Sequence, residues 1–202
     1  MYKPNEREYR SFSAFVSEER DNGLLVLRGT PIVFNSPTVL FEEDGIQYKE
    51  VIDPHFLDAC DMSDFILNRN HGMNDGTVYA RTKNGSITYT IHPDRVDIEA
   101  VLDPEDERHR NLYRDIQKKR IDQMSFSFVF ATEGGYRYDP DTHTRTCLRA
   151  RKMYDVSAVD FPAYNDTSIT TARSFFSEES RKEIKALEER RRRQELIIRT
   201  LI

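Results

Sequence analysis

From Gly23 onward, apolar residues gather in short runs separated by turn-forming residues, several of them alternating with polar residues at the period of half-buried strands. Leu24-Leu25-Val26-Leu27 and Ile32-Val33-Phe34 flank Gly29-Thr30-Pro31, which predicts strands around a break or bulge. Tyr48 to Ile52 reads as another short strand. Asp53-Pro54 then combines an N-cap residue with Pro at the first helical position, predicting a short helix through Phe56 and Leu57 to about Cys60. Phe65-Ile66-Leu67 begins a buried strand that carries Asn70, His71 and Gly72 into a loop. Thr77 to Arg81 and Ser86 to His92 flank Asn84-Gly85, which predicts a hairpin with a type I′ turn. Ile87, Tyr89 and Ile91, then Val96, Ile98, Ala100 and Leu102, alternate with polar residues and extend the pattern into an antiparallel meander.

Asp103-Pro104 repeats the helix-start signal, with Leu112, Tyr113 and Ile116 on one face. The basic Lys118-Lys119-Arg120 suits the negative end of the helix dipole. Ile121 to Ala131 then puts Met124, Phe126, Phe128 and Phe130 on one strand face and Ser125, Ser127 and Val129 on the other. Gly134-Gly135 and Asp139-Pro140-Asp141 mark turns, and Arg145 to Phe161 supplies one or two further strands. The pattern predicts a mainly β (α+β) domain over residues 22–173, a closed or nearly closed β-barrel with peripheral helices. Residues 1–21 show no sustained period and read as a flexible N-terminal arm. Residues 174–202 read as a charged helical tail, since Ser177 to Ile202 contains no Gly or Pro. In that tail Ile184, Leu187, Ile198 and Leu201 keep heptad spacing, but Arg191 and Gln194 interrupt the seam. A free-standing helix or a partner-dependent coiled coil is expected.

Composition narrows the function classes. A hydrophobic fraction of 38% with 32% charged residues fits a compact domain carrying a strongly polar segment. The net charge of -5 lacks the basic surplus that phosphate neutralisation requires, and Arg190 to Arg193 sits among acidic neighbours; nucleic-acid binding is not expected. No apolar run approaches the ~20 residues of a membrane span. Met1 to Arg10 lacks the apolar core of a signal peptide, so a soluble chain in the cytoplasm of its origin is expected. Cys60 and Cys147, far apart and without a metal-ligand spacing, read as free thiols.

The candidate chemistry is that of a hydrolase with a serine nucleophile, which needs a base and a third group to orient that base. His71 is the candidate base, Ser125 and Ser127 the candidate nucleophiles, and Asp155 and Asp160 the candidate orienting groups. Each has a bland counterpart. Strand serines more often face solvent or cap a neighbour, and loop histidines such as His55, His92, His109 and His143 are usually surface residues. Asp155 reads equally as an edge charge, and Asp160 as a turn former before Pro162. A metal-dependent hydrolase using His71, Asp75 and another carboxylate is a rival, without a recognised ligand spacing behind it.

Four segments in order carry a resemblance. They are Leu27 to Ser36 followed by Tyr48 to Pro54; Leu67-Asn68-Arg69-Asn70-His71-Gly72; Gln123-Met124-Ser125-Phe126-Ser127-Phe128; and Asp155-Val156-Ser157-Ala158-Val159-Asp160-Phe161-Pro162-Ala163. Together they resemble the tailed-phage prohead protease family, the serine proteases of capsid maturation. The resemblance implies Ser125 as nucleophile, His71 as general base and Asp155, ahead of Asp160, as third member. Ser127, where the family often has Gly, is a weaker rival nucleophile. The resemblance also implies a herpesvirus-maturation-protease-like fold, no metal or organic cofactor, and an oxyanion site of backbone N–H groups with help from an Arg. The substrates it implies are the phage major capsid protein and scaffold, and the chain itself, cleaved inside the prohead in the host cytoplasm. The helical tail would then be a handle for scaffold or capsid that pairs only weakly with itself, and the family's setting also implies some self-association of the chain. The alternative is a catalytically inactive capsid-assembly or scaffolding protein of the same fold.

Overall fold

The computed structural model describes residues 7–13, 15–20, 23–73, 76–160 and 166–200, with the backbone alone at 11–13, 15, 166–171 and 195–200. Its early strands are β1 (Glu8–Ser13), β2 (Phe15–Glu19), β3 (Leu25–Val33), β4 (Thr38–Glu43), β5 (Ile46–Ile52), β6 (Ile66–Arg69) and β7 (Ala80–Arg81). Then come β8 (Ile87–Ile91), β9 (Arg95–Leu102), helix α1 (Glu107–Gln117) and β10 (Gln123–Phe130). The chain closes with β11 (Tyr136–Asp139), β12 (Thr144–Cys147), β13 (Ala150–Val159) and the long helix α2 (Asp166–Thr200).

These strands form three sheets among the described residues, in the orders β1-β10-β13-β6-β7, β2-β3-β9-β8 and β11-β12-β5-β4. The mainly β expectation holds; among the described residues the sheets do not close into a barrel. Each ladder ends at two edge strands, and β7, two residues long, carries the five-stranded sheet no further. One core cluster gathers Met124, Phe126, Phe128 and Phe130 of β10 with Leu27 and Ile32 of β3, Val96, Ile98, Ala100 and Leu102 of β9, and Leu112 and Ile116 of α1. Burial of such side chains contributes roughly 1.5–3 kcal/mol each. The break at Gly29-Thr30-Pro31 lies inside β3 as a register shift against β9, where Pro31 has no N–H for the ladder.

Other expectations are corrected. Residues 8–13 and 15–19, placed in a flexible arm, are strands: β1 pairs with β10 and β2 with β3. Among the arm's described side chains the buried ones are Glu8 and Arg10, which read as polar in the sequence. Asp53-Pro54 opens a run of three-residue turns rather than a helix, with Phe56 N–H bonded to Asp53 O and Cys60 N–H to Leu57 O, each at 3.0 Å. Asn84-Gly85 does not close a hairpin. Thr82–Asn84 forms a single 3₁₀ turn, and only Gly85 takes the positive φ (77°) that a type I′ turn demands of both residues. The Asn84 side chain accepts instead from the Ser86 N–H at 3.1 Å and hydroxyl at 2.6 Å, and β8 leaves to pair with β9.

Helix α1 starts three residues later than the Asp103-Pro104 signal, capped by the Asp106 side chain on the Arg108 N–H at 2.8 Å. The expected Leu112, Tyr113 and Ile116 are its buried face, joined by His109. Helix α2 begins at Asp166, before the expected tail, and buries Ala172, Phe175 and Phe176 against Phe41. From Ile184 and Leu187 onward its described side chains are exposed.

Candidate active site

The five-stranded sheet has two chemically different faces. Alternation along β10 turns Phe126 and Phe128 into the core and leaves Ser125 and Ser127 on the opposite face. Cross-strand register then assembles a polar group on that face. Ser125 lies opposite Ser157 of β13, Ser127 opposite Asp155, and Ser157 beside Asn68 of β6. Ser125, Ser127, Asn68, Asp155 and Ser157 are all buried. Serine and aspartate so placed need partners, since an unpaired buried polar group costs about 1–3 kcal/mol.

His71 supplies one. β6 ends at Arg69, and the chain turns through Asn70, His71 and Gly72 with φ of 47°, 56° and 72°. Left-handed backbone at two successive non-glycine residues is strained and is characteristic of functional turns. The turn is held from both sides. The His71 N–H donates to Ser157 Oγ at 2.7 Å, and the Ser157 hydroxyl donates in turn to Asn68 Oδ1. On the other side Asp160 accepts from Arg69 Nη2 at 2.7 Å and from Asn70 Nδ2 at 2.9 Å.

This turn swings the imidazole over β10 and β13. Its Nε2 lies 2.7 Å from Ser125 Oγ, and its Nδ1 lies 2.6 Å from Asp155 Oδ1. With the proton on Nδ1, the ring donates to Asp155 and accepts from the Ser125 hydroxyl. The second oxygen of Asp155 accepts a hydrogen bond from Ser127 Oγ. Tyr9 of β1 meets the His71 ring edge-on at 4.4 Å between centroids, and Arg7, stacked over Tyr154, brings a guanidinium nitrogen 4.0 Å from Asp155. Burial, with Asp155 close by, raises the Tyr9 phenol above its ordinary value, so Tyr9 stays neutral beside the ring.

Of the sequence-predicted residues, His71, Ser125 and Asp155 therefore come together in one hydrogen-bonded line. Asp160 stands apart, committed to Arg69 and Asn70. Ser127 faces Asp155 rather than the imidazole. Arg69, the Arg nearest His71 in sequence, is engaged by Asp160 and lies 4.0 Å from Asp115. Sequence reasoning missed Asn68, Ser157 and Tyr9. Period-two spacing from Asp155 to Ser157 and from Asn68 to Asn70 was a readable signal for the first two; nothing local pointed to Tyr9.

Neither cysteine competes with Ser125 as a nucleophile. Burial pushes the Cys60 thiol up to about 12 and raises that of Cys147 well above its ordinary value, so neither is a thiolate at neutral pH. Among the described residues no group of three or more His, Cys, Asp or Glu side chains is disposed to hold a metal ion; Asp75 of the rival metal site lies outside them. No helix among the described residues is long and apolar enough to cross a membrane.

Beneath the site, on the core side of β1, lies a buried ionic quartet. Arg10 donates to both Glu8 and Glu50, at 2.7 Å for Nη2 to Glu50 Oε2. Arg145 donates from Nε to Glu50 Oε2 at 2.7 Å and from Nη2 to Glu8 Oε2 at 2.7 Å. Burial alone would raise the Glu50 carboxyl, but Arg10 and Arg145 overcome it and hold the group down at about 2. The quartet ties β1 to β5 and β12, and through β1 it fixes Tyr9 against His71.

Against known proteins, the model of the caudovirus prohead serine protease family matches residues 13–182. No curated protein and no solved structure matches the chain, so the expected herpesvirus-protease likeness finds no support there.

Proposed function

The chain belongs to the caudovirus prohead serine protease family, and from that premise we propose that it is an endopeptidase using Ser125, His71 and Asp155 to cleave capsid and scaffold proteins inside the prohead during maturation. The observation that carries this reading is the continuous line Ser125–His71–Asp155, at 2.7 and 2.6 Å, reached from three strands remote in sequence. His71 Nε2 takes the proton of Ser125 as Oγ attacks a peptide carbonyl, and Asp155 stabilises the imidazolium that forms. The imidazolium then protonates the leaving amine, the C–N bond breaks, and an acyl ester remains on Ser125. Water, deprotonated by His71, hydrolyses that ester and restores the hydroxyl.

The family's setting supports capsid and scaffold proteins as the proposed substrates, and with them self-cleavage and action within the prohead in the host. The exposed part of α2 is the proposed handle for packaging, because a helix with an interrupted heptad seam pairs weakly with itself and is left for a partner. Labelling with a fluorophosphonate, read by peptide mass spectrometry, tests the chemistry. The adduct should map to Ser125 and fall at least a hundredfold in His71→Ala. An adduct on Ser127, or equal labelling in His71→Ala, would refute the assignment.

A further inference from the structure

Asp155 is a carboxylate with almost no access to water, its side chain 2% exposed. A charge so placed must be met by donors. Among the described residues its carboxylate has two hydrogen-bonded partners, one at each oxygen: the His71 ring at Oδ1 and the Ser127 hydroxyl at Oδ2. Arg7 at 4.0 Å is too far for a hydrogen bond and is itself half-exposed. Ser127 is fully buried, lies opposite Asp155 in the β10–β13 register, and sits where the ladder shifts register between Ser127 and Phe128. Its geometry serves the carboxylate and leaves the Ser125–His71 contact untouched.

We propose that Ser127 is a positioning residue: by donating to Oδ2 it fixes the plane of the Asp155 carboxylate and reserves Oδ1 for His71 Nδ1–H. This deepens the triad reading and rests on it. Without that donor, Oδ2 is a buried, unmet acceptor, and the carboxylate is free to turn about its Cβ–Cγ bond. The imidazole then loses its fixed tautomer and tilt, and Ser125 its aligned base. The residue that entered as a rival nucleophile is thereby assigned to the orientation of the base.

The test compares wild type, Ser127→Ala, Ser127→Cys, Asp155→Asn and the double variant Ser127→Ala/Asp155→Asn on the full chain. Fluorophosphonate labelling rates are measured beside the far-downfield proton resonance of His71 Nδ1–H. Labelling of Ser127→Ala should slow about tenfold, the value of one charge-assisted hydrogen bond. Its imidazole resonance should shift or broaden through faster exchange. Ser127→Cys, of similar shape with a weak donor, should fall between the two. In the Asp155→Asn background the Ser127→Ala change should cost nothing further, because its effect passes through Asp155. An unmoved resonance in Ser127→Ala, or a loss that simply adds to that of Asp155→Asn, would overturn the proposal. Absence of any adduct on wild-type Ser125 would sink the protease reading instead, and the resonance would still decide the role of Ser127.

Discussion

Replacing Arg145 by Met should be among the most damaging single changes outside the site. The Arg145 side chain is 1% exposed and is bonded to Glu8 and Glu50, themselves 3% and 2% exposed. Its guanidinium also lies over the Phe130 and Phe175 rings, at 5.4 and 4.4 Å, joining β10 to the root of α2. Two arginines and two glutamates balance; removing one arginine leaves a buried surplus negative charge with Arg10 as its remaining counter-ion. Breaking a buried pair in this way costs about 3–5 kcal/mol, whereas replacing both partners by uncharged groups costs far less. At roughly 2–4 °C per kcal/mol for a chain of this size, the melting temperature should drop by about 6–20 °C. Adding Glu8→Gln restores neutrality and should recover part of that loss, a coupling of about 0.5–3 kcal/mol. Thermal and urea unfolding followed by circular dichroism measure all four corners of the cycle. A single-variant loss below about 1 kcal/mol, or a double variant as poor as the sum of its singles, would refute the quartet's assigned role.

Three further outcomes are expected. Glu50 is ionised in the fold down to about 2 but titrates near its ordinary 4.5 when unfolded, so its stabilisation is present above pH 4.5 and drains away as pH falls from there towards 2; acid unfolding monitored by fluorescence should show this, and Glu50→Gln should flatten that limb. Deleting residues 177–202 removes the exposed part of α2 and spares buried Phe175 and Phe176; fluorophosphonate labelling should stay at wild-type rate while incorporation into particles drops, and equal packaging would refute the handle. Asp160→Asn should slow labelling several-fold through a looser His71 turn and leave the labelled residue unchanged, checked by the mapped adduct and by amide exchange at Asn70 to Gly72.

What was legible in the chain is what alternation encodes. Val96 to Leu102 reads as a strand because one face alone is buried, and Met124 to Phe130 separates an apolar face from a serine face by period two. The grouping of His71, Ser125 and Asp155 was legible only as a resemblance, since Ser125 and Asp155 sit on different strands, His71 sits in the turn after a third, and no local spacing relates them. β1 was illegible because the buried residues among its described side chains are ionic: Glu8 and Arg10 look like solvent-facing residues until Glu50 and Arg145 meet them from other strands. The Asn84-Gly85 hairpin failed for a similar reason. Pairing of β7 with β6, and of β8 with β9, the strand that follows it, overrode the local turn preference. The root of α2 escaped notice because Phe175 and Phe176 find their aromatic partners, Tyr136, Tyr138 and Tyr48, only in the folded chain.

The most direct test is the intact mass of capsid and scaffold proteins from the same phage after co-expression with this chain, as wild type and as Ser125→Ala. Defined truncations with the wild type alone, in free subunits or in assembled proheads, are the result expected. The same truncations with Ser125→Ala, or none in assembled proheads with either, would contradict a maturation protease acting through Ser125.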